Sequence, residues 1–230
     1  MQQTLESRTP ALELVELLAR RYPDLPIEVI FKDDLLRRGM AWSRDALAVA
    51  ANYKRKAYFI CSFDMIPISE MSQGEDTKAP EEVRLAGGAF DFKPVIVSVR
   101  LNPSSPYRVE YEEGALALTL DGHAVSRVEL QPSPAHYART LASGKPITDI
   151  APTIEWGYLL YLTVFRLCQY YGVQEECQFC DINENYRQQK QAGRPYTSVK
   201  SVAEILEALE IIAATDSESK AYTVTGGSIT

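Results

Sequence analysis

Residues 158–180 read YLLYLTVFRLCQYYGVQEECQFC. Tyr158 to Leu167 is apolar and of strand length, which predicts a buried strand. Three cysteines follow, Cys168, Cys177 and Cys180, with the spacing C-x8-C-x2-C. A pair separated by two residues turns two thiolates toward one centre. The loop back to Cys168 is long enough to bring a third to the same place. Further on, Ser201-Val-Ala-Glu204 has capping-box spacing, and Val202, Ile205, Leu206, Leu209 and Ile212 recur at helical intervals, so a helix is expected over about 202–214. Ala221 to Thr225 reads as a second strand, broken by Gly226-Gly227. Strand, loop, helix and strand make a βαβ unit, so an α/β fold with parallel strands is expected here.

The preceding chain has a different texture. Thr9-Pro10 opens a helix with a capping side chain and proline at the first helical position, and a short strand is expected at Ile27–Phe31. Ser43 and Asp45 open a helix through Ala51, and Ala57–Phe63 is an apolar run of strand length. Residues 70–93 hold Gly74, Pro80, Gly87 and Gly88 and read as a loop. A β-meander of about four strands follows, at Val95–Leu101, Tyr107–Tyr111, Ala115–Leu120 and Val125–Leu130, with turns at Glu113-Gly114 and Asp121-Gly122. Pro132 to Pro152 is a proline-rich connector with a short helix expected near Ala135–Leu141, and the domain boundary is expected near 150. Residues 1–150 are thus an N-terminal α+β domain with a meander, and 151–230 the start of an α/β domain.

Composition excludes several classes. The chain has 24 Lys and Arg against 31 Asp and Glu, a net charge of −7, which argues against nucleic-acid binding by charge neutralisation. The longest apolar run, Trp156–Phe165, spans ten residues, half of the ~20 a membrane helix needs. Met1–Arg8 lacks a signal-peptide pattern. A cytoplasmic chain without nucleic-acid or membrane partners is expected, and clustered thiols in a reducing compartment usually hold a metal.

Ligand count separates the candidates. Structural zinc wants four protein ligands, and the fourth would have to be Cys61, His123 or His136, all far away in the other half of the chain. Three local thiolates instead suit a [4Fe-4S] cluster with one iron open to a small molecule. Zinc in a non-enzymatic interaction protein, and unligated thiols, stay as alternatives.

The cysteine loop from Cys168 to Cys180, with aromatic Phe179 before the last cysteine, resembles the cluster loop of the radical S-adenosylmethionine superfamily. Thr225-Gly226-Gly227-Ser228, ending the next strand, is similar to the family's glycine motif. The first spacing is eight residues where the family usually has three, and Ser228 stands where it usually has an acidic residue. The resemblance covers residues 158–230. It implies an enzyme with the opening of a partial (β/α)6 barrel, cluster ligation by Cys168, Cys177 and Cys180, and S-adenosylmethionine on the fourth iron. Phe179 would pack near the adenine, with Gly226, Gly227 and Ser228 against the methionine moiety. An electron from a donor such as flavodoxin or ferredoxin would then generate a 5′-deoxyadenosyl radical that abstracts hydrogen from a substrate. It also implies further barrel strands, so residues 151–230 are expected to be an incomplete catalytic unit.

Other candidates carry less. Asp181-Ile-Asn183-Glu-Asn185 begins like a calcium loop, but Tyr186 stands where glycine is needed. Arg187, Lys190, Arg194 and Lys200 read as a solvated loop, or as a local positive field for an anionic substrate or a donor protein. His123 and His136 have no partners at catalytic spacing, and Cys61 reads as a small buried hydrophobe.

Overall fold

The computed structural model describes residues 10–51, 53–54, 79–172, 175–177, 180, 182, 190, 198–215 and 219–228. The protein is mixed α/β and divides into two compact units, one of Met1–Asn52 with Lys78–Gln131, the other of Tyr53–Thr77 with Pro132–Thr230.

In the first unit, α1 (Pro10–Arg21), α2 (Ile27–Arg38) and α3 (Arg44–Ala50) accompany a mixed sheet. Its strands are β1 (Ala41–Trp42), β2 (Glu82–Gly87), β3 (Phe92–Ser98), β4 (Tyr107–Glu112), β5 (Ala115–Leu120) and β6 (His123–Leu130), in the order β1-β4-β5-β6-β2-β3. Among the described strand pairs of this sheet, only β1–β4 is parallel. Period-2 alternation puts one row of side chains inside: Val83 lies between Val97 and Leu130, Val128 between Leu85 and Leu116, Val109 beside Leu118, and Tyr107 beside Leu120. The other face is polar, with Arg84 paired to Glu129 across β2 and β6. Glu113-Gly114 and Asp121-Gly122 have positive φ at both positions, the turn geometry that matches strand twist. Ser43 caps α3 through its Oγ, which accepts from Ala46 N at 3.2 Å.

Three expectations change here. Ile27–Phe31 lies within α2 and is not a strand. Its β-branched residues suit a strand in isolation, but Ile30, Phe31, Asp34 and Leu35 are buried at helical spacing. Phe31 packs 4.9 Å from the Phe92 ring, and Tyr107 Oη donates to Asp34 Oδ2 at 2.9 Å. Burial and then the Asp34 carboxylate push that phenol well above its ordinary value. Glu82–Gly87, read as loop, is β2 and pairs on both sides, with β6 and with β3. With β2 and the equally unexpected two-residue β1, the sheet has six strands among the described residues where about four are expected. Leu101 falls beyond β3, in an isolated parallel bridge with Met40. Thr9, Ala57–Phe63 and residues 70–78 lie outside the described residues.

In the second unit, β7 (Thr153–Ile154), β8 (Leu159–Phe165) and β9 (Ala221–Gly226) form a sheet in the order β7-β8-β9. β8 and β9 are parallel and joined through α5 (Val202–Thr215), the expected βαβ unit. Among the described residues these strands form an open sheet and no closed barrel. The core contains Leu141, Ile147, Ile150 and Ala151 together with Leu160, Leu162, Ala208 and Ile212. Half of that core comes from the proline-rich connector and from α4 (Ile147–Ile150) within it, so the compact units divide at Gln131/Pro132 and not near 150. The short helix expected at 135–141 is a 3-10 turn, Ala135–Ala138. Ser201 Oγ accepts from Glu204 N at 3.2 Å and donates to the Glu204 carboxylate. Lys145 Nζ, 2.6 Å from Glu204 Oε1, holds that carboxyl below its usual range. No helix among the described residues is long and apolar enough to cross a membrane.

Candidate functional site: the cysteine loop

The loop leaves β8 between two neighbours. On one side Arg166 N donates to Ser198 O at 2.7 Å and Lys200 N to Val164 O at 2.9 Å, so the far end of the loop returns beside the end of β8. On the other side lies β9, with a register shift between Thr163 and Phe165. Such irregularities commonly re-aim side chains beside functional sites. Past the shift the parallel pairing continues: Gly227 N donates to Phe165 O, and Gln169 N to Ser228 O, both at 2.8 Å. Cys168 sits between those two bonds. A side chain on Gly227 would collide with the Leu167 carbonyl, its Cβ reaching the carbonyl carbon at 2.7 Å and Cys168 Cβ at 3.0 Å. Gly226 is less confined, with Phe165 atoms at 3.2–3.4 Å.

Cys177 and Cys180 share a turn closed by Cys180 N donating to Cys177 O at 3.0 Å. Gly172 N donates to Glu176 Oε2 at 2.9 Å, a second tie within the loop. Cys168, Cys177 and Cys180 are free thiols, Cys177 exposed and the other two half-buried. By residue type the set suits thiolate ligation: three cysteines, none crosslinked, on one loop at the carboxyl end of two parallel strands, where α/β folds place their sites. Among the described residues, no group of three or more His, Cys, Asp or Glu side chains is gathered closely enough to hold a metal ion. The structure brings the backbone around Cys168 to Gly227 and Ser228, and Cys177 to Cys180 through backbone; it does not draw the three sulfurs to one point.

Phe179, Cys61, Asp181, Asn183, Asn185, Arg187 and Arg194 lie outside the described residues. His136 is fully buried in the 3-10 turn, with its ring centroid 5.0 Å from that of Tyr137, and His123 begins β6. Lys200 departs from its expected place among solvated cations. It is only 6% exposed, and Nζ donates to Ile150 O at 2.7 Å, the last residue of α4. Lys54 is likewise buried, donating to Thr153 O at 2.5 Å. Sequence reasoning has no means of finding these two amines, because lysine among polar neighbours ordinarily signals surface.

Burial, and next the Arg166 charge, lower the Lys200 pKa from 10.5 to about 8, with Asp149 opposing. An unfolded chain keeps this proton up to about 10.5, whereas the folded chain releases it near 8. Between those values the unfolded state binds more protons, so stability rises with pH across that window. Below it both states are protonated and the cost of burying the ammonium is fully present. Lys200→Met is expected to flatten that rise, by on the order of 2 kcal/mol. Urea unfolding of both proteins at about pH 7 and about pH 10 checks it, and equal slopes would remove Lys200 as the cause.

Comparison of the chain with protein-family models, curated proteins and solved structures finds no match.

Proposed function

We propose that this chain binds a [4Fe-4S] cluster through Cys168, Cys177 and Cys180 and is a radical S-adenosylmethionine enzyme or a part of one. The observation that carries the reading is the meeting of two motifs. The cysteine loop leaves the carboxyl end of β8, and the glycine segment leaves the carboxyl end of the parallel neighbour β9, with Gly227 and Ser228 hydrogen-bonding on either side of Cys168. Open α/β sheets bind their ligands at such strand ends.

With S-adenosylmethionine at an open iron, such a cluster supplies one-electron reductive cleavage of the sulfonium and hydrogen abstraction from a substrate, chemistry that belongs to the cofactor. The protein's part is to present thiolates, orient the ligand and exclude water. Cys168 would present its thiolate from a strand-held backbone, and Cys177 and Cys180 theirs from a common turn. Phe179 would offer a face to the adenine, and Gly226, Gly227 and Ser228 backbone groups to the methionine moiety. A donor such as flavodoxin or ferredoxin would bring the electron.

The test is anaerobic reconstitution of the chain with iron and sulfide. A brown protein with broad absorbance near ~400 nm and about four irons per chain is expected, with a cluster spectrum perturbed by added S-adenosylmethionine. A colourless chain that retains about one zinc and no iron would overturn the reading in favour of a structural zinc site.

A further inference from the structure

We infer that Gly227 and Ser228 act as a strap that sets the position of Cys168, so that the three thiols proposed as ligands are held in two separate parts. The metal-binding half of this inference rests on the cluster reading above; the positioning half does not. The strap is an extension of the β8–β9 ladder. Phe165 O accepts from Gly227 N, and Ser228 O accepts from Gln169 N, both at 2.8 Å, so the backbone on either side of Cys168 is tied to β9. Glycine is required at 227 by the protein itself. A Cβ there would enter the Leu167 carbonyl, and it would stand 3.0 Å from Cys168 Cβ, tighter than nearly all real contacts. The displaced group would be the cysteine-bearing backbone, which is not the free end of a flexible side chain. Gly226, at 3.2–3.4 Å from Phe165, asks for a shift of only a few tenths of an ångström.

The other two thiols are related differently. Cys177 and Cys180 are linked by their own turn, Cys180 N to Cys177 O. The position of Cys168 therefore comes from the segment that follows β9, and that of the pair from a local turn. Such an arrangement tolerates a first spacing of eight residues, because loop length no longer has to place the first sulfur. Gly227 is on this account a positioning residue for Cys168, whatever else its backbone meets.

Three measurements on the full 230-residue chain test it: amide hydrogen exchange at Gln169, iodoacetamide alkylation of Cys168 relative to Cys177, and iron retained after anaerobic reconstitution with iron and sulfide. In the unmodified protein the Gln169 amide is expected to exchange at least ~100-fold more slowly than an unstructured amide. Gly227→Ala should reduce that protection at least ~10-fold, raise Cys168 alkylation relative to Cys177 by about 10-fold, and lower retained iron. Gly226→Ala should move all three less. An unprotected Gln169 amide in the unmodified protein would overturn the strap, and this result needs no variant to fold. Retained iron at the unmodified level in Gly227→Ala, despite lost protection, would overturn its role at the metal site. If the unmodified chain takes up no iron while exchange and alkylation respond as expected, the strap stands and the cluster reading falls.

Discussion

Cys177→Ala is expected to lose essentially all iron after anaerobic reconstitution, as are Cys168→Ala and Cys180→Ala, while Cys61→Ala keeps the amount held by the unmodified chain. Loss of a group that merely supports a ligand costs about 10–100-fold in metal affinity, so loss of a ligand itself should cost at least ~100-fold. The contrast with Cys61 is the informative part. Cys168, Cys177 and Cys180 fall within thirteen positions, and Cys61 is more than a hundred residues from any of them. Stability offers an internal control, because Cys177 is exposed and its truncation should change unfolding by less than ~0.5 kcal/mol. Iron per chain together with urea unfolding separates a missing ligand from a damaged fold. Equal loss of iron in Cys61→Ala and Cys177→Ala would replace the three-thiolate model with a four-ligand site.

Gly88→Ala should destabilise the first unit by roughly 3 kcal/mol, the largest effect expected from removing no interaction at all. Gly88 follows β2 with φ +82, and a Cβ there would fall 2.6 Å from Ser126 Cα and 2.8 Å from the Val125 carbonyl carbon, both backbone atoms of β6. The left-handed conformation alone costs an alanine about 1–2 kcal/mol. The remainder would come from moving the β2–β3 turn off β6. Gly114 separates the two contributions: it has φ +84 and nothing within 4 Å of a Cβ, so Gly114→Ala should show the conformational cost only. Urea unfolding of the two variants measures the difference. If Gly88→Ala costs no more than Gly114→Ala, the turn does not pack against β6 as described.

Several elements are legible from local pattern because their burial follows their own period. The run Ala115–Leu120 is β5 to the residue, with Leu116, Leu118 and Leu120 all inward. The helix expected at 202–214 is α5, with Ala208 and Ile212 in the core, and Ala221–Thr225 is β9 with one residue added. Ile27–Phe31 misleads because β-branching reports what a residue tolerates locally, while its buried face is chosen by Phe92 and Tyr107, more than sixty positions away. β2 is concealed for a related reason. Glu81 and Glu82 are buried despite their charge, and Gly87-Gly88 punctuates the end of the strand, so the segment looks like loop although it is paired on both edges.

The candidate site divides along the same line. The order and spacing of Cys168, Cys177 and Cys180, the strand–loop–helix–strand sequence around them and the Gly226-Gly227 pair are properties of the chain written in one dimension. They are readable because side-chain periodicity and turn chemistry act over a few residues. What Gly227 must avoid, which bonds hold Cys168, and why Lys200 lies against Ile150 and not in solvent depend on groups brought together across tens of residues. Those outcomes were decided by the tertiary structure, because pairing partners and burial are set by which surfaces meet, and residue type at one position carries no record of what lies opposite it.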